Sequence, residues 1–170
     1  GKKIGTTGLP WNEAMLTTML KADGVYRDDV EVIDVGWTVS QSLMAGTVDA
    51  IIGVYWTYES IIMENEGHES NVLMPDDWGV PSYYELVLVT SEDNVKNNSE
   101  MVEKFVKAFN KGYSAAADDP QGSIETMLRL NPDAEIDEAT DREGVELLAP
   151  LWKSAGAPVG SLDEARWDSL

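Results

Sequence analysis

The apolar positions of the first 80 residues alternate between two spacings, one typical of strands and one typical of helices. Strands are expected at 2–8, 28–36, 48–55 and 71–74, and helices at 9–24, 38–46 and 57–67. This alternation predicts parallel strands that are joined by right-handed crossovers. We therefore expect an α/β lobe with a parallel-rich sheet.

Capping and turn residues mark the expected ends of these helices. Thr38 and Gln41, three residues apart, form a capping-box pattern at the start of one helix. Gly24 and Gly46 follow the last apolar positions of two helices, where glycine commonly ends a helix. Two of the three helices therefore have a predicted stop, and one also has a predicted cap.

A change of composition separates this lobe from the rest of the chain. Residues 74–84 read MPDDWGVPSYY, which is the composition of a hinge or linker. A β-rich segment follows at 85–90, and from residue 98 onward the spacing is helical. We therefore divide the chain into a complete α/β lobe at 1–80 and a second part at 81–170, which holds a hinge strand and helices.

Four helices are predicted in the second part, and the last three of them begin at a polar capping residue or a proline. They are expected at 98–113, at Asp119-Pro120, at Asp137 with an end near Trp152, and at Ser161, where Glu164 completes a capping box. The segment at 85–90 is then the only expected strand in this part, and one strand cannot form a sheet. We expect the chain to be a fragment without an N-terminal segment, in which an unpaired strand at 85–90 could drive self-association.

Charge and composition narrow the classes of partner. The chain carries 31 Asp and Glu against 12 Lys and Arg, a net charge of −19. Nucleic acid is excluded as a partner because its phosphates would be repelled, and free anions would meet an unfavourable field. There are no cysteines, which excludes disulfides and thiolate metal sites. No apolar run approaches the roughly 20 residues of a membrane helix.

Four stretches of the sequence carry a family resemblance. They read GKKIGTTGLPWNEAMLTTML, DVEVIDVGW, SLMAGTVDAIIGVYWTYES and NVLMPDDWGVPSYYELVLVTSED. Together they resemble the substrate-binding proteins of ABC transporters, in the subgroup that binds hydroxymethylpyrimidine and formylaminopyrimidine, the pyrimidine precursors of thiamine. The resemblance implies a fold like that of type II periplasmic binding proteins, with two α/β lobes and the ligand in the cleft. Residues 1–80 would then be lobe two, and 81–170 an incomplete lobe one.

The resemblance also implies partners, a location and no cofactor. The partners would be a small heterocycle and the membrane subunits of an ABC permease, and the protein would be extracytoplasmic, with its signal segment outside this chain. Riboflavin, a sulfonate or nitrate anion and a quaternary amine remain alternative ligands. A related fungal enzyme family makes the same pyrimidine with a cysteine-rich motif and a histidine substrate. This chain has no cysteine, and His68 lies in the polar stretch ENEGHESN, so neither an enzyme nor a metal site is expected.

The segment 53–60, GVYWTYES, holds the strongest candidate site residues, Tyr55 and Glu59. Ligands of open parallel sheets bind beyond the carboxyl ends of the strands, and Tyr55 follows such an end. An aromatic ring can stack on a flat heterocycle, and a carboxylate can accept a hydrogen bond from its amine. The alternative is that Tyr55 is a core residue and that Glu59 only favours the positive end of its helix.

The other candidates lie at the same predicted edge. Thr7 and Gly8 precede a helix whose backbone N–H groups can bind a polar oxygen, although the lysine of a P-loop is missing. Gly53 ends a strand, while Trp56 and Trp37 are aromatic residues near strand ends that could equally be buried. The predicted site therefore comprises Thr7, Gly8, Trp37, Gly53, Tyr55, Trp56 and Glu59.

Overall fold

The computed structural model describes residues 1–153 and 157–168. The chain divides into two compact units, the first being Gly1–Ser82 and the second beginning at Tyr83.

The first unit is built on a three-stranded parallel sheet. Its strands are β1 (Lys2–Thr6), β2 (Val30–Asp34) and β3 (Ala50–Ile52), in the order β2-β1-β3. The central strand β1 is buried from Ile4 to Thr6, where it pairs with both neighbours. The predicted α/β class with a parallel sheet is confirmed.

Three helices connect and cover these strands. They are α1 (Pro10–Ala22), α2 (Val39–Met44) and α3 (Glu59–Asn65), and short 3-10 turns lie at Arg27–Asp29 and Pro75–Trp78. The core between helices and sheet is apolar and consists mainly of Ile4, Leu16, Val39, Val48, Ile61 and Met63. This core holds the strand ends in place because every helix contributes at least one buried side chain to it.

The predicted helix ends lie within two residues of the observed ones, but one predicted capping hydrogen bond does not form. α1 ends at Ala22 and α2 at Met44, each two residues before the predicted stop glycine. Thr38 is the N-cap of α2, but the capping box with Gln41 is wrong. The Thr38 hydroxyl instead donates to the Val35 carbonyl at 2.8 Å, and so binds the chain that leaves β2.

The described part of the second unit is helical. Its helices are α4 (Glu92–Asn97), α5 (Ser99–Asp118), α6 (Pro120–Leu130), α7 (Glu138–Trp152) and α8 (Glu164–Trp167). α5, α6 and α7 pack on one another around a small apolar core of Ala117, Ile124, Val145 and Ala149. None of the helices in the described ranges is both long enough and apolar enough to cross a membrane.

Helix starts in this unit follow the predicted caps in two of three cases. The Asp119 carboxylate accepts from the Gly122 N–H at 3.0 Å, and that of Asp137 accepts from the Thr140 N–H at 3.3 Å. The capping box at Ser161 is wrong, because Asp163 caps α8 by accepting from the Arg166 N–H at 2.9 Å. The predicted end of that helix at residue 170 lies outside the described residues.

Two predicted strands are not part of the sheet. Residues 71–74 and 85–90 pair with no strand among the described residues, and Leu86 and Val89 are 78% and 87% exposed. A strand forms only where another backbone pairs with it, and β-rich composition cannot supply that partner. Within the described residues neither segment has a strand partner, so self-association through 85–90 stays a prediction.

The cap at Asp119 predicts a measurable loss of stability in the second unit. Replacing Asp119 by Ala leaves the Gly122 N–H without its acceptor and should lower the free energy of unfolding by about 1 kcal/mol. Glu125→Ala removes the same charge from the exposed face of α6 and should change it by less than about 0.5 kcal/mol. Urea denaturation followed by circular dichroism checks both, and equal effects would contradict the capping role.

The cap at Asp137 predicts a pH dependence. The side chain and then the backbone N–H of Thr140 donate to its carboxylate and lower its pKa below the usual 3.8. A depressed folded-state pKa contributes stability above pH 3.8, and this contribution is lost as the pH falls through the folded-state value.

Asp137→Asn keeps an acceptor for the cap but cannot ionise. Its stability should therefore fall less than that of the parent between about pH 6 and pH 3. Urea midpoints at the two pH values measure this difference. Parallel losses in parent and variant would show that the carboxylate of Asp137 does not carry it.

Candidate functional site

The carboxyl ends of the three strands meet at one edge of the sheet. Thr6, the last residue of β1, is paired with Asp34 on β2 and with Ile52 on β3. The segments that follow these residues, 7–8, 35–37 and 53–55, therefore begin side by side. The candidate residues that follow these strand ends therefore share one edge of the sheet, as parallel pairing requires.

A small cavity of about 150 Å³ lies at this edge, between the start of α1 and the sheet. Its lining combines the polar groups of the edge with an apolar floor and consists of Thr6, Gly8, Leu9, Pro10, Asn12, Glu13, Leu16, Val32 and Ile52. The cavity is too small for a drug-sized ligand, for which pockets are typically about 300–1,000 Å³. The edge thus offers a recess beside a more open surface.

Asn12, on the first turn of α1, ties the edge together. Its side chain is almost fully buried, at 1% exposure, and its Nδ2 donates to the hydroxyl oxygens of Thr6 and Thr7 at 2.8 Å each. Its backbone N–H donates to the Leu9 carbonyl at 3.0 Å. The amide therefore holds the segment after β1 against the helix that begins there.

Gly53 packs against the same amide group. Its φ is +87°, and a Cβ built on it would lie 2.5 Å from Nδ2 of Asn12. Contacts this short do not occur, and the Asn12 side chain cannot swing away without breaking both of its hydrogen bonds. The end of β3 can approach α1 this closely only because residue 53 has no side chain.

Asp34 joins the ends of β1 and β2. A Cβ on Gly8, whose φ is +76°, would lie 2.6 Å from Oδ2 of Asp34, so the carboxylate packs on the Gly8 backbone. Its Oδ1 accepts from the Gly36 N–H at 2.9 Å. The carboxylate therefore holds the start of the segment that carries Trp37.

Tyr55 and Glu59 are linked directly through the backbone. Oε2 of Glu59 accepts from the Tyr55 N–H at 2.7 Å, and the Tyr55 carbonyl accepts from the N–H groups of Tyr58 and Glu59 at 3.0 and 2.9 Å. The Tyr55 side chain is 46% exposed. The segment thus presents an accessible aromatic ring and a carboxylate within one turn, which suits stacking on a flat ring and accepting from its amine.

The remaining aromatic candidates differ in exposure. Trp37 is 81% exposed, whereas Trp56 is half-buried and its carbonyl accepts from the Ser60 hydroxyl. Thr57 is the buried residue of this turn, at 8% exposure. Trp37 therefore has the accessible surface that a stacking residue needs, and Trp56 offers less of it.

His68 lies in a polar segment that follows α3. His68 is exposed, beyond the end of α3, and its N–H donates to the Met63 carbonyl at 2.8 Å. Across residues 1–153 and 157–168, no three His, Asp or Glu side chains are grouped so that they could hold a metal ion.

Sequence reasoning missed Asn12 and Asp34. Asn12 lies four residues before the buried Leu16, so a polar residue on the apolar face of α1 was a signal that something must satisfy it. Asp34 is the last residue of β2. A carboxylate at the end of a predicted strand, where ligands of parallel sheets bind, was the signal that could have identified it. Both residues act between segments that are distant in sequence, which makes their contacts invisible to local patterns.

The contact of Gly53 with Asn12 predicts the result of an alanine substitution. Gly67 has a similar φ of +84° but nothing within 4 Å of a Cβ, so it isolates the cost of the backbone conformation. Gly67→Ala should cost about 1–2 kcal/mol in the free energy of unfolding. Gly53→Ala should cost at least about 1 kcal/mol more, because it also overpacks the Asn12 site.

Urea denaturation of the two variants and the parent measures the difference. Equal costs at residues 53 and 67 would contradict a tight packing of Asn12 on Gly53.

The chain matches a protein family and is similar in sequence to several known proteins. The family described as NMT1/THI5 like matches residues 1–123. A formylaminopyrimidine-binding protein of Halalkalibacterium halodurans is 30% identical over the whole chain, which covers 52% of that protein. A riboflavin-binding protein, RibY, of Chloroflexus aurantiacus is 29% identical over 91% of the chain and 44% of that protein.

An enzyme is also among the relatives. A 4-amino-5-hydroxymethyl-2-methylpyrimidine phosphate synthase of Uromyces fabae is 25% identical over 78% of the chain and 41% of that protein. The chain thus spans about half the length, or less, of these curated relatives. The match of the family to most of the chain, together with the parallel α/β unit, confirms the predicted resemblance and its periplasmic-binding-like fold. The chain belongs to the NMT1/THI5-like family.

Proposed function

We propose that this chain is part of the solute-binding component of an ABC importer, and that its ligand is a small flat heterocycle such as a thiamine pyrimidine precursor. The observation that carries the proposal is the exposed Tyr55 ring, one turn from the Glu59 carboxylate, at the carboxyl edge of a parallel sheet. The formylaminopyrimidine-binding relative, which is similar over the whole chain, supports this ligand class.

The chemistry of the edge fits an aminopyrimidine. Tyr55 supplies a stacking face, and Trp37 offers a second accessible aromatic surface. Glu59 uses Oε2 for the Tyr55 N–H, and a carboxylate can accept several further hydrogen bonds, here from an exocyclic amine. Thr7 and the Gly8 backbone supply polar groups at the end of β1.

An anionic ligand fits this edge poorly. The chain has a net charge of −19, and Asp34 and Glu59 add carboxylates at the ends of β2 and β3. A sulfonate or nitrate would be repelled by this field. Riboflavin is the second candidate ligand, since its flat ring system could use the same stacking surfaces and a riboflavin-binding relative covers 91% of the chain.

A binding role fits the residues better than a synthase role. The chain contains no cysteine, so it cannot form the cysteine-rich motif of the related fungal enzymes. His68 lies beyond the end of α3 and is exposed, whereas the candidate ligand residues follow the ends of β1, β2 and β3. We therefore propose that the protein binds its pyrimidine without changing it.

The two units suggest how the chain fits into a larger transport protein. We propose that residues 1–80 form lobe two and that 81–170 belong to lobe one, with a hinge at 79–81, next to the division at Ser82. An extracytoplasmic location and delivery to permease subunits follow from the transport role. The coverage of about half of the binding relatives supports a lobe-level assignment for this chain.

Isothermal titration calorimetry tests the ligand and its site. The full natural polypeptide that contains this sequence is titrated with hydroxymethylpyrimidine, formylaminopyrimidine, riboflavin and taurine. We expect micromolar or tighter binding of a pyrimidine, and a Kd raised at least about tenfold by Tyr55→Ala, which corresponds to about 1.4 kcal/mol.

Glu59 needs a variant that preserves its structural hydrogen bond. Glu59→Gln keeps an acceptor for the Tyr55 N–H and removes the charge, so a rise in Kd of about 10–100-fold reports ligand contact. Glu64→Gln, on the exposed face of the same helix, is the control and should leave Kd unchanged.

Three outcomes separate the alternatives. Pyrimidine binding that survives both Tyr55→Ala and Glu59→Gln would move the site away from this segment. Binding of riboflavin in place of pyrimidines would favour the second ligand. Conversion of a pyrimidine or of its precursor during the titration, seen by mass spectrometry, would overturn the binding role.

A further inference from the structure

Asn12 is the least exposed polar residue at the strand edge. The nitrogen and the oxygen of its side-chain amide differ in their hydrogen bonding. Nδ2 donates to both threonine hydroxyls, whereas Oδ1 is buried with no donor in reach among the described residues. Burying an acceptor without a donor is unfavourable. The hydrogen bonds of Nδ2 to the two threonine hydroxyls are what offsets that cost at this edge.

The direction of these hydrogen bonds determines what Thr7 offers to a ligand. A hydroxyl has one proton to donate and two lone pairs that accept. Because Nδ2 of Asn12 donates to the Thr7 oxygen, the hydroxyl proton is directed away from Asn12. The Thr6 oxygen accepts from Asn12 and also from the Gly8 N–H at 3.3 Å. The half-buried Thr7 hydroxyl is therefore set as a donor at the end of β1.

The other contact of Asn12 determines where the end of β3 lies. β3 has only three residues, which pair with β1 up to Ile52, and no ladder holds the chain beyond that point. Gly53 packs on the Asn12 amide at a distance that excludes a Cβ, and Tyr55 follows two residues later. The amide is thus a spacer between the segment with the Thr7 hydroxyl and the segment with the Tyr55 ring and Glu59.

We propose that Asn12 is a positioning residue for the ligand: it fixes Thr7 as a hydrogen-bond donor and sets the spacing between Thr7 and Tyr55. The inference rests on the proposed function, in which the ligand contacts these two segments. It also defines the ligand class more narrowly. A donor at the end of β1 and an acceptor carboxylate after β3 select a heterocycle with a ring nitrogen or oxygen acceptor on one edge and an amine on another.

Two variants of Asn12 separate its effect on the direction of the Thr7 hydrogen bond from its effect on the spacing between Thr7 and Tyr55. Asn12→Ala removes the amide and leaves room for Gly53 to move, so both functions are lost. Asn12→Asp keeps the shape but replaces the NH₂ group and its two donors by a carboxyl oxygen with at most one proton, so a threonine hydroxyl can turn its proton toward residue 12. We expect both variants to raise the Kd for hydroxymethylpyrimidine at least tenfold in calorimetry.

A variant at an equally buried residue tests whether a general loss of stability, and not the loss of the Asn12 contacts, raises Kd. Thr140 in the second unit is also 1% exposed, and its hydroxyl donates to Asp137 at 2.8 Å. Thr140→Val should destabilise its unit and leave Kd within twofold of the parent. All titrations are made at least 15 °C below the melting temperature of each variant, where circular dichroism confirms the native state.

Thr7 supplies the conservative rescue. Thr7→Val keeps the branched shape without the hydroxyl and should raise Kd as Asn12→Asp does, whereas Thr7→Ser keeps the donor and should bind like the parent. A Kd within twofold of the parent for Asn12→Ala, Asn12→Asp and Thr7→Val would overturn the inference.

Amide chemical shifts test the positioning without any ligand. In ¹H–¹⁵N spectra of the ¹⁵N-labelled protein, Asn12→Ala should shift Gly53 and Tyr55, and Thr140→Val should shift neither. Unchanged Gly53 and Tyr55 amides in Asn12→Ala would overturn the spacing role. If the parent binds no pyrimidine, the proposed function fails, and these shifts still decide whether Asn12 positions the end of β3.

Discussion

The pairing of β1 with a parallel strand on each side is the constraint on which the first unit depends. Residues Ile4–Thr6 form ladders with β2 and β3 at the same time, and they are buried. Because all three strands run in the same direction, the segments that leave them must begin at one edge. Asp34 and Ile52, which lie 28 and 46 positions after Thr6 in the sequence, are thereby brought beside it before any side chain of the site is considered.

The edge itself is organised by contacts between backbone and polar side chains. The Asn12 amide and the Asp34 carboxylate each pack on a glycine, Gly53 and Gly8, where a side chain would leave no room. Both glycines also have positive φ, so two requirements coincide at each position. Tyr55 and Glu59 are arranged differently, by hydrogen bonds within a single turn. The site combines a rigid frame with a locally formed ligand segment.

The second unit depends on local interactions to a greater degree. Asp119 and Asp137 each cap a helix by accepting from an N–H three residues later, and the helices then pack through short apolar stripes. Caps of this kind involve four consecutive residues, so they can be read from a sequence. The segment at 85–90 is the opposite case, since a strand requires a partner that its own composition cannot provide.

The sequence by itself determined the features that depend on neighbours along the chain. These are the alternation of strands and helices, the caps at Asp119 and Asp137, and the location of Tyr55 and Glu59 after a strand end. Only the tertiary structure decided that Asn12 joins the end of β1 to Gly53, and that Asp34 packs on Gly8. Only it decided that 85–90 pairs with no strand among the described residues. The physical reason is the same in each case: hydrogen bonds and close packing between distant segments depend on which backbones the fold brings together, and no local pattern carries that information.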